Sequence, residues 1–128
     1  MTDPDRCPCG NLAPYAKCCK RIHRDPAKAL TAGQLMRARY SAFASATLRF
    51  LLDTLHPLHR KPGDRKAIKD QFKQVTWLNL PVIAVQKGGE HDTDGIVVFV
   101  ATFSENQQLG QPHERSMFVK IQDRWYYQ

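Results

Sequence analysis

Residues 95–104 read GIVVFVATFS, and over 96–101 the run IVVFVA is apolar on both alternating faces. A strand with one wet face alternates apolar with polar residues, whereas a strand buried on both faces does not. This run therefore predicts a central strand covered on both sides. Turn-forming segments flank it, KGGEHDTDG at 87–95 and ENQQLGQPH at 105–113. Beyond them lie further β-branched and aromatic runs, TWLNLPVIAVQ at 76–86, ERSMFVKI at 114–121 and RWYY at 124–127. Short strands separated by turn signals read as an antiparallel meander.

Upstream of residue 75 the period changes. DPAKALTAGQLMRARYSAFAS, residues 25–45, predicts a helix with Thr31 as N-cap, Gln34 three residues on, and Met36, Tyr40 and Phe43 at helical spacing. ATLRFLLDTLH, residues 46–56, predicts a second helix with Leu48, Leu51, Leu52 and Leu55 on one stripe, closed by Pro57. HRKPGDRKAIKDQF, residues 59–72, adds a turn and a basic third helix with Asp64 as its cap. Helices followed by a meander define an α+β domain with the helices on one face of the sheet. The outer face of the central strand is then left for an N-terminal module or a second subunit to cover.

The chain has 128 residues, enough for one core, with 42% hydrophobic and 24% charged residues. No apolar run approaches the roughly 18 to 20 residues that span a bilayer, and MTDPDRCPCG at the N-terminus is polar. The expected address is the cytoplasm, with no membrane contact. The formal net charge of +7 gathers in two groups. Lys17, Lys20, Arg21, Arg24 and Lys28 form one; Arg60, Lys61, Arg65, Lys66 and Lys69 form the other. Nucleic acid is an unfavoured partner, because RKPGDRKAIK lacks the interleaved aromatics of a stacking surface.

All four cysteines lie in CPCGNLAPYAKCC, residues 7–19. Disulfides are disfavoured in a reducing compartment, and a bridge between adjacent Cys18 and Cys19 is strained. A redox pair lacks its Cys-x-x-Cys spacing. Cys7-x-Cys9, eight residues, then Cys18-Cys19 instead supplies two ligand pairs for one tetrahedral Zn²⁺ of structural type. Four thiolates leave such an ion no open position for catalysis.

Cys-Pro-Cys-Gly, a short loop, Tyr15 and Cys18-Cys19 together resemble the SEC-C zinc motif. Asn11, Leu12 and Ala13 depart from the usual turn of that motif but leave the ligands intact. His sometimes fills the fourth place in such motifs; with Cys19 already there, His23 is expected to be exposed. The resemblance widens along the chain. QLMRARYSAF, TLHP, Trp77, HERSMF and RWYY occur in the order of the YchJ-like family of small bacterial proteins. It implies a SEC-C-like module over residues 1–24 joined to an NTF2-like cone over 25–128, but no reaction.

A cone of this type encloses a pocket. Helical phase puts Arg39 on the apolar stripe between Leu35 and Phe43, with Arg37 pointing away. Strand alternation puts Glu114, Ser116 and Phe118 on one face, so Glu114 is the expected partner of Arg39. Tyr40 and Trp77 are expected to line the wall. His56 and His113, at element ends, are the candidate general bases, with Glu114 as a further catalytic candidate. The leading expectation is a zinc-binding protein whose cysteine module stabilises the N-terminus and meets a protein partner, beside a cone able to hold a small molecule. An acid–base enzyme working in the cone is the alternative, and nucleic-acid binding comes third.

Overall fold

The computed structural model describes residues 7–9, 13–79, 82–100, 102–105, 107–111 and 113–128, and for 77–79, 82 and 83 the backbone alone. A 3₁₀ turn, Tyr15–Lys17, leads into α1, Cys19–Arg24; then come α2, Ala32–Ala44, α3, Leu48–Asp53, and α4, Asp64–Gln74. The strands follow as β1 Val75–Asn79, β2 Val82–Lys87, β3 Asp94–Val100, β4 Thr102–Glu105, β5 Gln108–Gly110, β6 His113–Ile121 and β7 Arg124–Tyr127. No helix among the described residues is long and apolar enough to cross a membrane.

Helix α2 begins where its sequence says it should. The Thr31 hydroxyl accepts from the Gln34 amide at 3.1 Å, and the Gln34 side chain accepts from the Leu30 amide at 2.8 Å. Two amides that the helix cannot serve are thereby satisfied. Helix α3 is shorter than its apolar stripe, because Leu55 leaves it to bridge Tyr127 in parallel. Asp64 is the first residue of α4, not its cap; its carboxylate accepts from the Lys61 amide at 2.7 Å and so closes the preceding turn.

The meander is divided between two antiparallel sheets, one ordered β2-β3-β6-β7 and the other β1-β4-β5. The runs at 76–86 and 95–104 each contribute a strand to both, as β1 with β2 and β3 with β4, whereas β5 forms inside the segment 105–113 expected to be turn. Register shifts at Trp77/Asn79 and Val82/Ala84 flank the passage from β1 to β2. Such irregularities add twist and bend a strand, which is how a meander curves around its helices. As expected, β3 is central, paired with β2 and β6. Its inner residues Val97 and Phe99 are buried, but Ile96, Val98 and Val100 on the outer face are only half-buried. The cysteine module packs on α2 instead, so the expected second cover is not supplied by it.

Helix α2 meets the sheet closely. The Ala32 amide donates to Gly88 O at 2.9 Å, and Gly88 and Gly95 pass each other beneath it. A Cβ on Gly95 would fall 2.5 Å from the Gly88 Cα, so glycine is required by the approach itself. At the far end, β7 ties the helices to the sheet. The Tyr127 amide donates to Thr54 O and the His56 amide to Tyr127 O, both at 2.7 Å, while Trp125 Nε1 donates to Leu30 O at 3.1 Å. Leu35, Leu51, Val97, Phe118 and Trp125 form the centre of one apolar core, and Cys7, Cys9, Cys19 and Ile22 are continuous with it.

Candidate metal centre and cone cavity

The four cysteine sulfurs converge. All lie within 4.8 Å of one another; Cys9 and Cys18 are 3.6 Å apart, and Cys18 and Cys19 are 3.9 Å apart. Metal–sulfur bonds of about 2.3 Å in a tetrahedron put the sulfurs about 3.8 Å apart, whereas a disulfide needs about 2.05 Å. The donor set therefore fits a tetrahedral metal ion. The 3₁₀ turn and the start of α1 present Cys18 and Cys19, and a backbone bond from the Cys7 amide to Ala13 O, 3.1 Å, closes the loop that carries the first pair.

The sulfurs share protons unequally. Hydrogen bonds from Cys19, then Cys9, hold the Cys7 thiol far below its usual range. Cys19 is held far above it, first by its bond to Cys7, then by that to Cys9 and by burial. A cluster in which buried sulfurs share protons is one where a divalent cation takes their place. The buried Ser41 hydroxyl reaches Cys7 Sγ at 3.9 Å, and Arg37 Nη1 donates to Cys9 O at 3.1 Å, so α2 holds both cysteines of the first pair.

His23 is not exposed. Its ring is half-buried against Phe50, 4.7 Å between centroids. Nε2 lies 2.7 Å from the Ala38 carbonyl, which can only accept, so Nε2 carries the hydrogen. Nδ1 then accepts from the Tyr15 hydroxyl at 2.7 Å. Burial pushes the His23 pKa down, against the raising pull of Ala38 O and Cys7, and burial also keeps Tyr15 a neutral donor. The pair joins the cysteine module to α2. Sequence reasoning missed it because a histidine beside four complete ligands looks spare.

The cone encloses a cavity of about 380 Å³. Met36, Phe43, Ile68 and Phe99 supply apolar wall, and Arg39, Tyr40, Glu114, Ser116 and Tyr127 supply polar groups. Arg39 is buried at 5% exposure, as helical phase requires, but its expected ion pair with Glu114 does not form. Among the described residues the ion pairs are Arg49–Asp53 and Lys66–Asp70, both on the surface. Nη1 of Arg39 donates to Leu51 O at 3.0 Å and to Thr54 Oγ1 at 2.6 Å, and the guanidinium lies 4.6 Å over the Tyr127 ring. The carbonyl end of α3 supplied an acceptor nearer than any carboxylate. Glu114 does face the cavity with Ser116, but it stands exposed at the rim.

Burial lowers the Arg39 pKa to about 10, which leaves it charged at neutral pH, and raises that of Tyr40 to about 12. Phe118 lies deeper, edge-on to Tyr127 at 5.6 Å, in the core. The side chain of Trp77 lies outside the described residues; its backbone pairs with Phe103. Neither histidine base candidate lines the cavity. His113 is exposed on the opposite face of β6 from Glu114, and His56 Nδ1 accepts from the Leu58 amide while its ring stacks on His59. Tyr127 was missed, although alternation puts it on the face of β7 that buries Trp125.

Helices wrapped by curved antiparallel sheets, with a four-cysteine site against the first long helix, define an NTF2-like domain bearing a SEC-C-type module. Residues 31–128 match the family described as YchJ, middle NTF2-like domain, and the chain belongs to that family. It is 36% identical over 121 residues to a UPF0225 protein of Geobacter sulfurreducens, covering 94% of this chain and 75% of that one. To a UPF0225 protein of Serratia proteamaculans it is 37% identical over 126 residues, covering 97% and 81%. The solution structure of a SEC-C motif containing protein from Rhodopseudomonas palustris superposes with a TM-score of 0.85 at 29% identity, over 95% of this chain and 94% of that one. A crystal structure of a SEC-C motif containing protein from Psychrobacter arcticus gives 0.81 at 29% identity, over 97% and 80%.

Proposed function

We propose that this is a cytoplasmic zinc-binding protein whose four cysteines hold one structural Zn²⁺, fixing a basic surface for a protein partner beside a ligand-binding cone. The convergence of four sulfurs within 4.8 Å in a largely buried site carries the metal reading. An all-sulfur tetrahedral set suits zinc, and thiols that serve it must stay reduced, as they do in the cytosol. Lys20, Arg21, Arg24 and Lys28 line a groove of about 210 Å³ on the module, and Lys17, Arg21, Arg24 and Lys28 are exposed. None of them is ion-paired among the described residues, so the groove suits an acidic segment of a partner.

Elemental analysis of protein purified under reducing conditions should find about one zinc per chain, and Cys9→Ser should lose it. Metal-free wild-type protein would overturn the zinc reading. An Asp/Glu-rich peptide should bind with a strong salt dependence, and the Lys20→Glu, Arg24→Glu double variant should abolish that binding without moving the melting temperature. Unchanged binding in that variant would exclude the groove as the docking surface.

A further inference from the structure

We propose that the cone cavity binds a small monocarboxylic acid with an apolar body, its carboxylate taken by the Arg39 guanidinium; this deepens the reading of the cone as a ligand site. Arg39 lines the cavity and is 95% buried, yet no carboxylate pairs with it among the described residues. Its protein hydrogen bonds both leave from Nη1. The Nε–Nη2 edge donates to nothing among the described residues, and neither atom is shut off from space that water can enter. That edge is the side-on fork of the guanidinium, and it matches the two oxygens of a carboxylate. A buried positive charge without a counter-ion costs several kcal/mol, so a ligand anion gains by supplying one.

Ser116 supplies a second donor. It is buried at 7% exposure, lines the same cavity, and its hydroxyl has no partner among the described residues. The apolar wall of Met36, Phe43, Ile68 and Phe99 calls for a hydrophobic body behind the head group. A cavity of about 380 Å³ sits at the small end of the usual range of about 300–1,000 Å³ for ligand sites. Glu114 and Asp64 complete the selection. Both line the cavity, and their negative charge repels a dianion more than a monoanion, which disfavours a phosphate monoester.

The test uses full-length, metal-loaded protein and methyl NMR of Met36 and Ile68, titrated with phenylacetate, 2-phenylethanol and phenyl phosphate. Phenylacetate should shift these methyls saturably, binding at least ten-fold tighter than the alcohol or the phosphate. Arg39→Met should erase that preference, and Glu114→Gln should bring phenyl phosphate closer to phenylacetate. If Arg39→Met does not fold, Arg39→Lys, which keeps the charge and loses the fork, must weaken phenylacetate several-fold. Equal binding of acid and alcohol, or a preference that survives both Arg39 variants, would overturn the carboxylate assignment while leaving the cone a ligand site. No saturable shift with any of the three would overturn both.

Discussion

The Arg39 guanidinium is anchored by the carbonyl end of α3 and by Thr54, not by a carboxylate, and this changes what its neighbour is worth. Glu114 is exposed and makes no ion pair among the described residues, so Glu114→Gln should shift stability by no more than about 0.5 kcal/mol in urea unfolding. A loss of several kcal/mol would restore the ion pair. His23 is the opposite case, a residue whose neighbours fix its protonation. His23→Ala removes two half-buried hydrogen bonds and leaves their partners wanting, a loss of about 1–3 kcal/mol. Because the folded state lowers its pKa, the unfolded chain binds the proton more readily. The stabilisation is therefore complete above the ordinary value of 6.5 and falls away as pH drops below it. His23→Gln offers the same donor and acceptor without titrating. Melting curves from pH 8 to pH 6 should show wild type losing more than this variant toward the acid end; parallel curves would remove His23 as the titrating group.

Among the elements, α2 packs against α1, α3, β1, β3 and β7. Its cap at Thr31 contributes about 1 kcal/mol, which Thr31→Ala should remove. Its seat on the crossing of Gly88 and Gly95 is less forgiving. Gly95→Ala sets a methyl 2.5 Å from backbone and should cost more than the cap, read as a larger fall in the urea midpoint. A variant as stable as wild type would mean the crossing can widen. The cap, the helix phase of Arg39 and the alternation of Glu114, Ser116 and Phe118 were all legible, because each depends on residues a few positions apart. So was the convergence of the four cysteines, which lie on one short stretch of chain. The division of the runs at 76–86 and 95–104 between two sheets was not, since strand pairing over long separations decides it. The partner of Arg39 was missed for a related reason. Sequence reasoning seeks a carboxylate for a buried cation, whereas the nearest acceptors were backbone carbonyls that every helix end exposes.

At the scale of the whole molecule, the four-cysteine site and the cone share a core, so losing the proposed zinc should be felt beyond the loop that carries the cysteines. Cys7, Cys9, Cys19 and Ile22 are continuous with the apolar interior, His23 is bonded to Ala38, and Arg37 to Cys9. A structural zinc contributes apparent binding of about 10 to 16 kcal/mol, far more than the loop could gain from packing. Without it, the loop gives up Cys9, and α1 gives up the burial of Ile22, worth about 1.5–3 kcal/mol. The sheets retain their own interior of Val97, Phe99, Phe118 and Trp125 against Leu35 and Leu51. Cys9→Ser, or chelation, should therefore leave the strand signal in circular dichroism intact while lowering the melting temperature. Hydrogen exchange should lose protection over residues 13–24 and, through Arg37 and Ala38, along the middle of α2. Loss confined to residues 13–24 would make the module an appendage rather than part of the core. Collapse of the strand signal as well would place the stability of the cone itself in the metal site.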